Sequence, residues 1–128
     1  PKTGTMGLFG RVTADREARI PLRVRSGEGT ERDVDAVIDT GFNGVLGLPT
    51  RLIEELGLAC VGRERMLLAN GEFHFARIYR AIVDLEDRAY SVRAVEAGEP
   101  LASMGLLWEY ELCIQCIDGG QVDLERLS

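Results

Sequence analysis

No apolar run in this 128-residue chain is long enough to cross a bilayer, so nothing in it reads as a membrane-spanning helix. Nor does a basic segment followed by an apolar one open the chain, which points to a cytoplasmic protein or one already trimmed. Positive charge is in short supply: 15 Lys and Arg against 21 Asp and Glu leave a net charge of −6. A nucleic-acid surface needs clustered Lys and Arg, whereas Arg19, Arg23 and Arg25 alternate with apolar residues and read as the wet face of a strand. Neither nucleic acid nor membrane is expected as a partner. Cysteine is scarce and odd in number, three in all, which excludes a disulfide framework. Cys113 and Cys116 form a C-x-x-C, but a four-ligand zinc site needs a second pair, and only Cys60 and the single His74 remain to supply it. Residues 112–117 read as a strand, while a thioredoxin-like motif opens a helix. Both cysteines are therefore expected as small hydrophobes packed in a strand, with no metal site. Solenoid-length repeats and low-complexity tracts are also missing.

What is present is a chain 45% apolar by count, sufficient for one domain with a sizeable core. Residues 1–6 read as a leader or tag-like segment, leaving 7–128 as the domain. Ala18, Ile20, Leu22 and Val24 alternate with Arg19, Pro21, Arg23 and Arg25, the period of a half-buried strand. Pro21 places that strand at an edge or puts its own position outside the ladder. After a turn at 26–30 the chain returns through Val34, Ala36 and Ile38 and delivers Asp39 to the strand end; Asp33 and Asp35 on the way look solvated. Pro49 suits a first helical turn, Leu52, Ile53 and Leu56 follow at helical spacing, and Gly57 ends a short helix whose wet side is Glu54-Glu55. Asn70-Gly71 between residues 65–69 and 73–79 is a strong hairpin signal. His74, alternating with Phe73 and Phe75, reads as a surface or satisfied histidine. A further strand carries Tyr90, Val92 and Ala94, residues 101–108 read as a short strand running into a brief helix, and Trp108 reads as core or interface packing. Residues 110–117 and 122–127 make a terminal hairpin about Asp118-Gly119-Gly120. The fold class is all-β with one or two short helices, closed into a barrel.

The chemistry sits in Val37-Ile38-Asp39-Thr40-Gly41-Phe42-Asn43-Gly44, which leads on to Val45-Leu46-Gly47-Leu48-Pro49. A carboxylate at the end of a buried strand costs free energy unless it is hydrogen-bonded or shared. Gly41 lets backbone N–H groups approach it, and Thr40 can bond across the loop and pin it. This apolar-apolar-Asp-Thr-Gly run resembles the active-site loop of retropepsin-type aspartic proteases, and more narrowly that of their small single-domain bacterial and archaeal members. The resemblance extends over nearly the whole chain, about residues 7–127. It implies a closed acid-protease barrel forming one subunit of a dimer, with Asp39 catalytic and Thr40 and Gly41 as the loop scaffold. It makes the hairpin at Ala69, Asn70, Gly71 and Glu72 a flap over substrate. It also sets Leu101-Ala102-Ser103 beneath the Asp loop, with Leu106 and Leu107 in the helix that follows. Ser103 departs from the family, standing where Gly is usual; Phe42 differs from the small residue of retroviral and pepsin-like enzymes but is familiar among the small prokaryotic members.

Peptide hydrolysis of this kind needs two carboxylates sharing one proton, and the chain holds a single Asp-Thr-Gly. An isologous two-fold interface would set Asp39 opposite its own copy. The expectation is a homodimeric aspartic endopeptidase acting on a peptide or protein substrate, with water as nucleophile and no metal or organic cofactor. Terminal strands of both copies would interleave and cover open edges. Its rivals are a non-catalytic dimerisation or peptide-binding module on the same barrel, and a thiol or metal protein using Cys113 and Cys116. Pepsin's dyad titrates at about 1.5 and 4.7. With Phe42 leaving no hydroxyl beside the dyad, the working pH is expected to be less acidic than pepsin's. A pH–rate profile with its optimum below about 3 would contradict this.

Overall fold

A computed structural model describes residues 7–127; the leader or tag-like segment expected at 1–6 lies outside the described residues. Ten strands and one helix follow in order: β1 (Leu8–Val12), β2 (Ala18–Arg25), β3 (Glu31–Ile38), β4 (Leu46–Leu48), α1 (Thr50–Leu56), β5 (Cys60–Leu67), β6 (Phe73–Leu85), β7 (Arg88–Glu96), β8 (Leu101–Ala102), β9 (Tyr110–Ile114) and β10 (Gln121–Arg126). Pairing runs β5-β6-β7-β4-β8-β3-β2-β1-β10-β9, and a further β6–β2 pairing closes six of these strands into a ring. The closure sets Val24 opposite Val83, both fully buried. Outside them, Arg25 holds Asp84 through two hydrogen bonds of 3.0 and 3.1 Å, and that bond raises the guanidinium's pKa above its ordinary value. The expected all-β barrel is the observed fold class.

The alternating residues of β2 divide as their pattern dictates. Ile20, Leu22 and Val24 fill the barrel with Leu46, Leu48, Val83 and Leu85, while Arg23 meets Asp33 at 3.0 Å and Arg19 meets Glu17 and Glu99 on the wet face. β2 is an interior strand, not an edge. Pro21 is nevertheless accommodated: β1 covers Ala18 and Arg19, β6 covers residues 23–25, and Pro21 falls in the interval between them.

α1 has Pro49 as N-cap and buries Ile53 and Leu56. Gly57, at φ 63°, donates its N–H to Glu54 O while Leu58 N–H reaches Ile53 O, a Schellman closure. The brief helix expected after residue 103 is instead a run of turns, in which the Leu106 and Leu107 N–H groups share the Ser103 carbonyl and Tyr110 N–H bonds Leu107 O. Asn70-Gly71 does make a hairpin, though of three residues: Gly71 N–H bonds Leu68 O, Leu68 N–H bonds Glu72 O, and only Gly71 takes positive φ. This is a type I turn closed by a left-handed glycine.

The terminal strands add a small sheet, β1-β10-β9, to the barrel wall. Tyr110 on β9 and Tyr90 on β7 tie it back through a 2.8 Å O–H···O bond, their rings edge-on at 71°. Burial, then the bond to Tyr90, raises the Tyr110 phenol's pKa above its ordinary value, so that it keeps its proton. β9 stops at Ile114, short of the 117 expected. Cys113 and Cys116 are both exposed, which corrects the expectation of packed strand cysteines.

β1 crosses β2 so closely that a β-carbon on Gly10 would stand 1.8 Å from the Arg19 carbonyl oxygen. Gly10→Ala is therefore expected to cost about 1–3 kcal/mol by forcing the strands apart, read as a lower urea midpoint at unchanged slope. Gly62→Ala, where an added β-carbon meets nothing within 4 Å, is the control and should stay within about 0.5 kcal/mol of the parent.

Candidate active site

β3 and β4 are not neighbours. β8 lies between them, parallel to β3 through Val37 opposite Leu101 and Ile38 opposite Ala102, and antiparallel to β4 through Leu46 opposite Ala102. The loop from Asp39 to Val45 spans that gap at the barrel's rim. Asp39 is partly buried there; its N–H bonds Ala102 O at 2.9 Å and its carbonyl accepts the Phe42 N–H at 3.2 Å. One carboxylate oxygen, Oδ1, accepts the Gly41 N–H at 3.0 Å. The carboxylate thus has one amide anchor while the loop backbone is bonded on both sides.

The amide approach at Gly41 is as the motif suggests, but it does not demand a bare Cα: a β-carbon would lie 3.5 Å from Asp39 Oδ1, an ordinary contact. The tighter glycine in the loop is Gly44, where a side chain would have to displace the Phe42 ring. A β-carbon there would stand 2.5 Å from the tip of the Phe42 ring, which lies over it. Nothing in the tripeptide signals this; the pairing of a large ring with a glycine two residues on was the available hint.

Ser103 sits beneath the loop and is 1% exposed. Its hydroxyl donates to Val45 O at 3.0 Å and accepts the Gly105 N–H at 3.0 Å. The hydroxyl is thus satisfied on both sides and stitches the β8 turn to the Asp loop.

Thr40 is exposed, and its hydroxyl has no hydrogen-bond partner among the described residues. It opens onto an apolar cleft of about 440 Å³ lined also by Met104, Leu107, Trp108, Tyr110 and Leu127. Trp108 is 69% exposed, so it is not core. Ala69, Asn70, Gly71 and Glu72, expected as a flap, form the exposed tip of the β5–β6 hairpin, where Asn70 Oδ1 accepts the Glu72 N–H at 3.0 Å. His74 is exposed on that hairpin. Asp33 and Asp35 are exposed on β3, and Asp33 is paired to Arg23. Among the described residues no three His, Cys, Asp or Glu side chains come together as a metal site, and no helix is long and apolar enough to cross a membrane.

No family model and no curated protein matches the chain. Among solved structures it is similar to a retropepsin-like aspartic protease from Rickettsia conorii, at a TM-score of 0.58 over 96% of this chain and 94% of that one. The fold is retropepsin-like. At 13% identity the likeness extends to the fold alone.

Within this retropepsin-like barrel, Ser103→Ala removes both bonds of a buried hydroxyl and leaves the Gly105 amide without that partner. A loss of about 1–3 kcal/mol in unfolding free energy is expected, measured by thermal or urea denaturation.

Proposed function

We propose that the chain is one half of a homodimeric aspartic endopeptidase, with Asp39 of each copy forming the catalytic dyad. One observation carries the reading: a partly buried carboxylate at a barrel rim, anchored by the Gly41 amide, is followed directly by Thr40, which lines an uncovered apolar cleft. Apolar surface of this kind marks an interaction site. Met104, Trp108 and Leu127 are each more than half exposed, and a second copy related by a two-fold axis would cover them while bringing in its own Asp39. The Thr40 hydroxyl is then free to bond the neighbouring loop.

In the dimer the two carboxylates share one proton, since like charges so close do not both ionise. The ionised member takes a proton from a water as its oxygen attacks the scissile carbonyl carbon; the protonated member gives its proton to the carbonyl oxygen. Collapse of the resulting tetrahedral adduct breaks the C–N bond and returns a proton to the amine. Thr40 and Gly41 hold the loops, and the hairpin tip at Ala69–Glu72 closes over the substrate.

The test pairs Asp39→Asn with a measurement of mass. The parent should sediment as a dimer and cleave unstructured peptides, and the variant should remain a dimer while losing at least ~10³ in kcat/KM. A strict monomer at every concentration, or cleavage surviving the substitution, defeats the proposal. Peptide binding by a parent that never cleaves would instead establish the non-catalytic peptide-binding module.

A further inference from the structure

The flap hairpin has two unlike faces. β6 runs without interruption from Phe73 to Leu85, so alternation places Phe73, Phe75 and Arg77 on the same face as Tyr79, Ala81, Val83 and Leu85, which enter the core. Register with β5 sets Leu67 opposite Phe73, Arg65 opposite Phe75 and Arg63 opposite Arg77, and residues directly opposite share a face. A strand face that looks into a barrel still looks toward the barrel's opening as the strand passes the rim. These six side chains therefore line the underside of the flap. All are exposed, with Leu67, Phe73 and Phe75 at 64%, 57% and 66%.

The upper face carries Met66, His74, Glu64 and Ala76, and there Glu64 pairs with Arg93 of β7. The underside has no such neutralisation. Arg65 lies over the Phe73 ring at 4.1 Å, and none of Arg63, Arg65 and Arg77 forms an ion pair among the described residues. Like charges set directly opposite in a ladder destabilise it, so the Arg63–Arg77 pair is a cost the hairpin carries. The chain is acidic overall, at −6, and elsewhere pairs its β2 arginines with carboxylates. Three guanidiniums without counter-ions beside three uncovered apolar side chains complement a ligand that is apolar and anionic together.

We infer that the flap selects peptides bearing a carboxylate side chain next to a large apolar one in the residues flanking the scissile bond. The apolar side chain packs on Leu67, Phe73 and Phe75. The carboxylate is taken by Arg63 and Arg77, whose planar forks suit two-point binding of an anion. This specificity rests on the peptidase reading, and its test separates the two.

Matched peptides differing only by Glu, Gln or Lys at one flanking position are compared as substrates of the intact protein. Each exposed pair contributes little, so the Glu peptide is expected to exceed its Gln twin by about fivefold in kcat/KM, with the Lys peptide poorest. The preference should weaken as salt is added. Arg63→Gln combined with Arg77→Gln should compress the Glu-to-Gln ratio to about twofold or less, and Arg77→Glu should shift preference toward Lys. A parent ratio of one or below, or a ratio unchanged in the double variant, overturns the inference while leaving the peptidase reading intact. Should the parent cleave none of them, that reading fails. The same ratio is then taken from binding of the labelled Glu and Gln peptides by fluorescence anisotropy. Tighter Glu binding abolished in the double variant supports the flap assignment, and equal binding overturns it.

Discussion

The position of Asp39 depends on a two-residue strand. Because β8 occupies the space between β3 and β4, the intervening loop has to bridge a full strand's width, and its ends are held by residues from a distant part of the chain. Asp39 N–H takes the Ala102 carbonyl, and the Ser103 hydroxyl reaches Val45, 58 residues away in sequence. Contacts of such separation form only after long loops close, so the site takes shape only once the barrel has. Ser103 does here, with one hydroxyl, what a bare glycine could do only through close packing: it binds the turn at Gly105 and the loop at Val45 at once.

Most of the barrel was legible because its determinants are local. Alternation in β2 and β3 is a one-face pattern, Gly57 supplies the left-handed residue that closes α1, and Asn70-Gly71 marks a hairpin whatever its turn type. β4 was not legible. Leu46, Gly47 and Leu48 are all buried, and a short strand covered on both faces shows no alternation to read. Leu106 and Leu107 suggested a helix by their apolar character, but both are needed inside the core, and a turn delivers adjacent residues inward where a helix would splay them. The Asp-Thr-Gly loop announced its carboxylate, while the close packing at Gly44 emerged only from the Phe42 ring laid across it.

The two C-x-x-C cysteines, and the core half of the core-or-interface expectation for Trp108, show where composition misleads. An apolar residue near other apolar residues in sequence reads as core, yet burial is decided by what lies opposite, and β9 is the outer strand of its sheet with no neighbour beyond it among the described residues. Cys113 is exposed on that strand and Cys116 in the turn after it. The same edge leaves Leu127 and Trp108 uncovered around the cleft at Thr40. Strand edges bordered by apolar side chains are what a partner chain covers. The terminal sheet and the Asp loop thus border the same cleft, through Tyr110 and Leu112 on one side and Thr40 on the other.

Charge is distributed to a different end on the barrel than on the β5–β6 hairpin. Arg23 and Arg25 lie on the outer face of β2, with Asp33 on β3 and Asp84 on β6 beside them. Exposed pairs like these contribute little to stability, but they reinforce register. A slip of one residue between β2 and its neighbours would carry Arg23 and Arg25 inward and Leu22 and Val24 out, losing the ion pairs and the core together. Opposite charges across a ladder therefore agree with the hydrophobic pattern at the seam that closes the barrel. Across the β5–β6 ladder the opposed residues are both cationic, Arg63 and Arg77, and electrostatics works against the pairing instead of with it. The hairpin also has few buried residues to oppose that repulsion, since β5 is exposed along nearly its whole length. A segment with weak packing and internal repulsion belongs to the low-stability end of a structure, and this sets the β5–β6 hairpin apart from the barrel wall, where charge and packing agree.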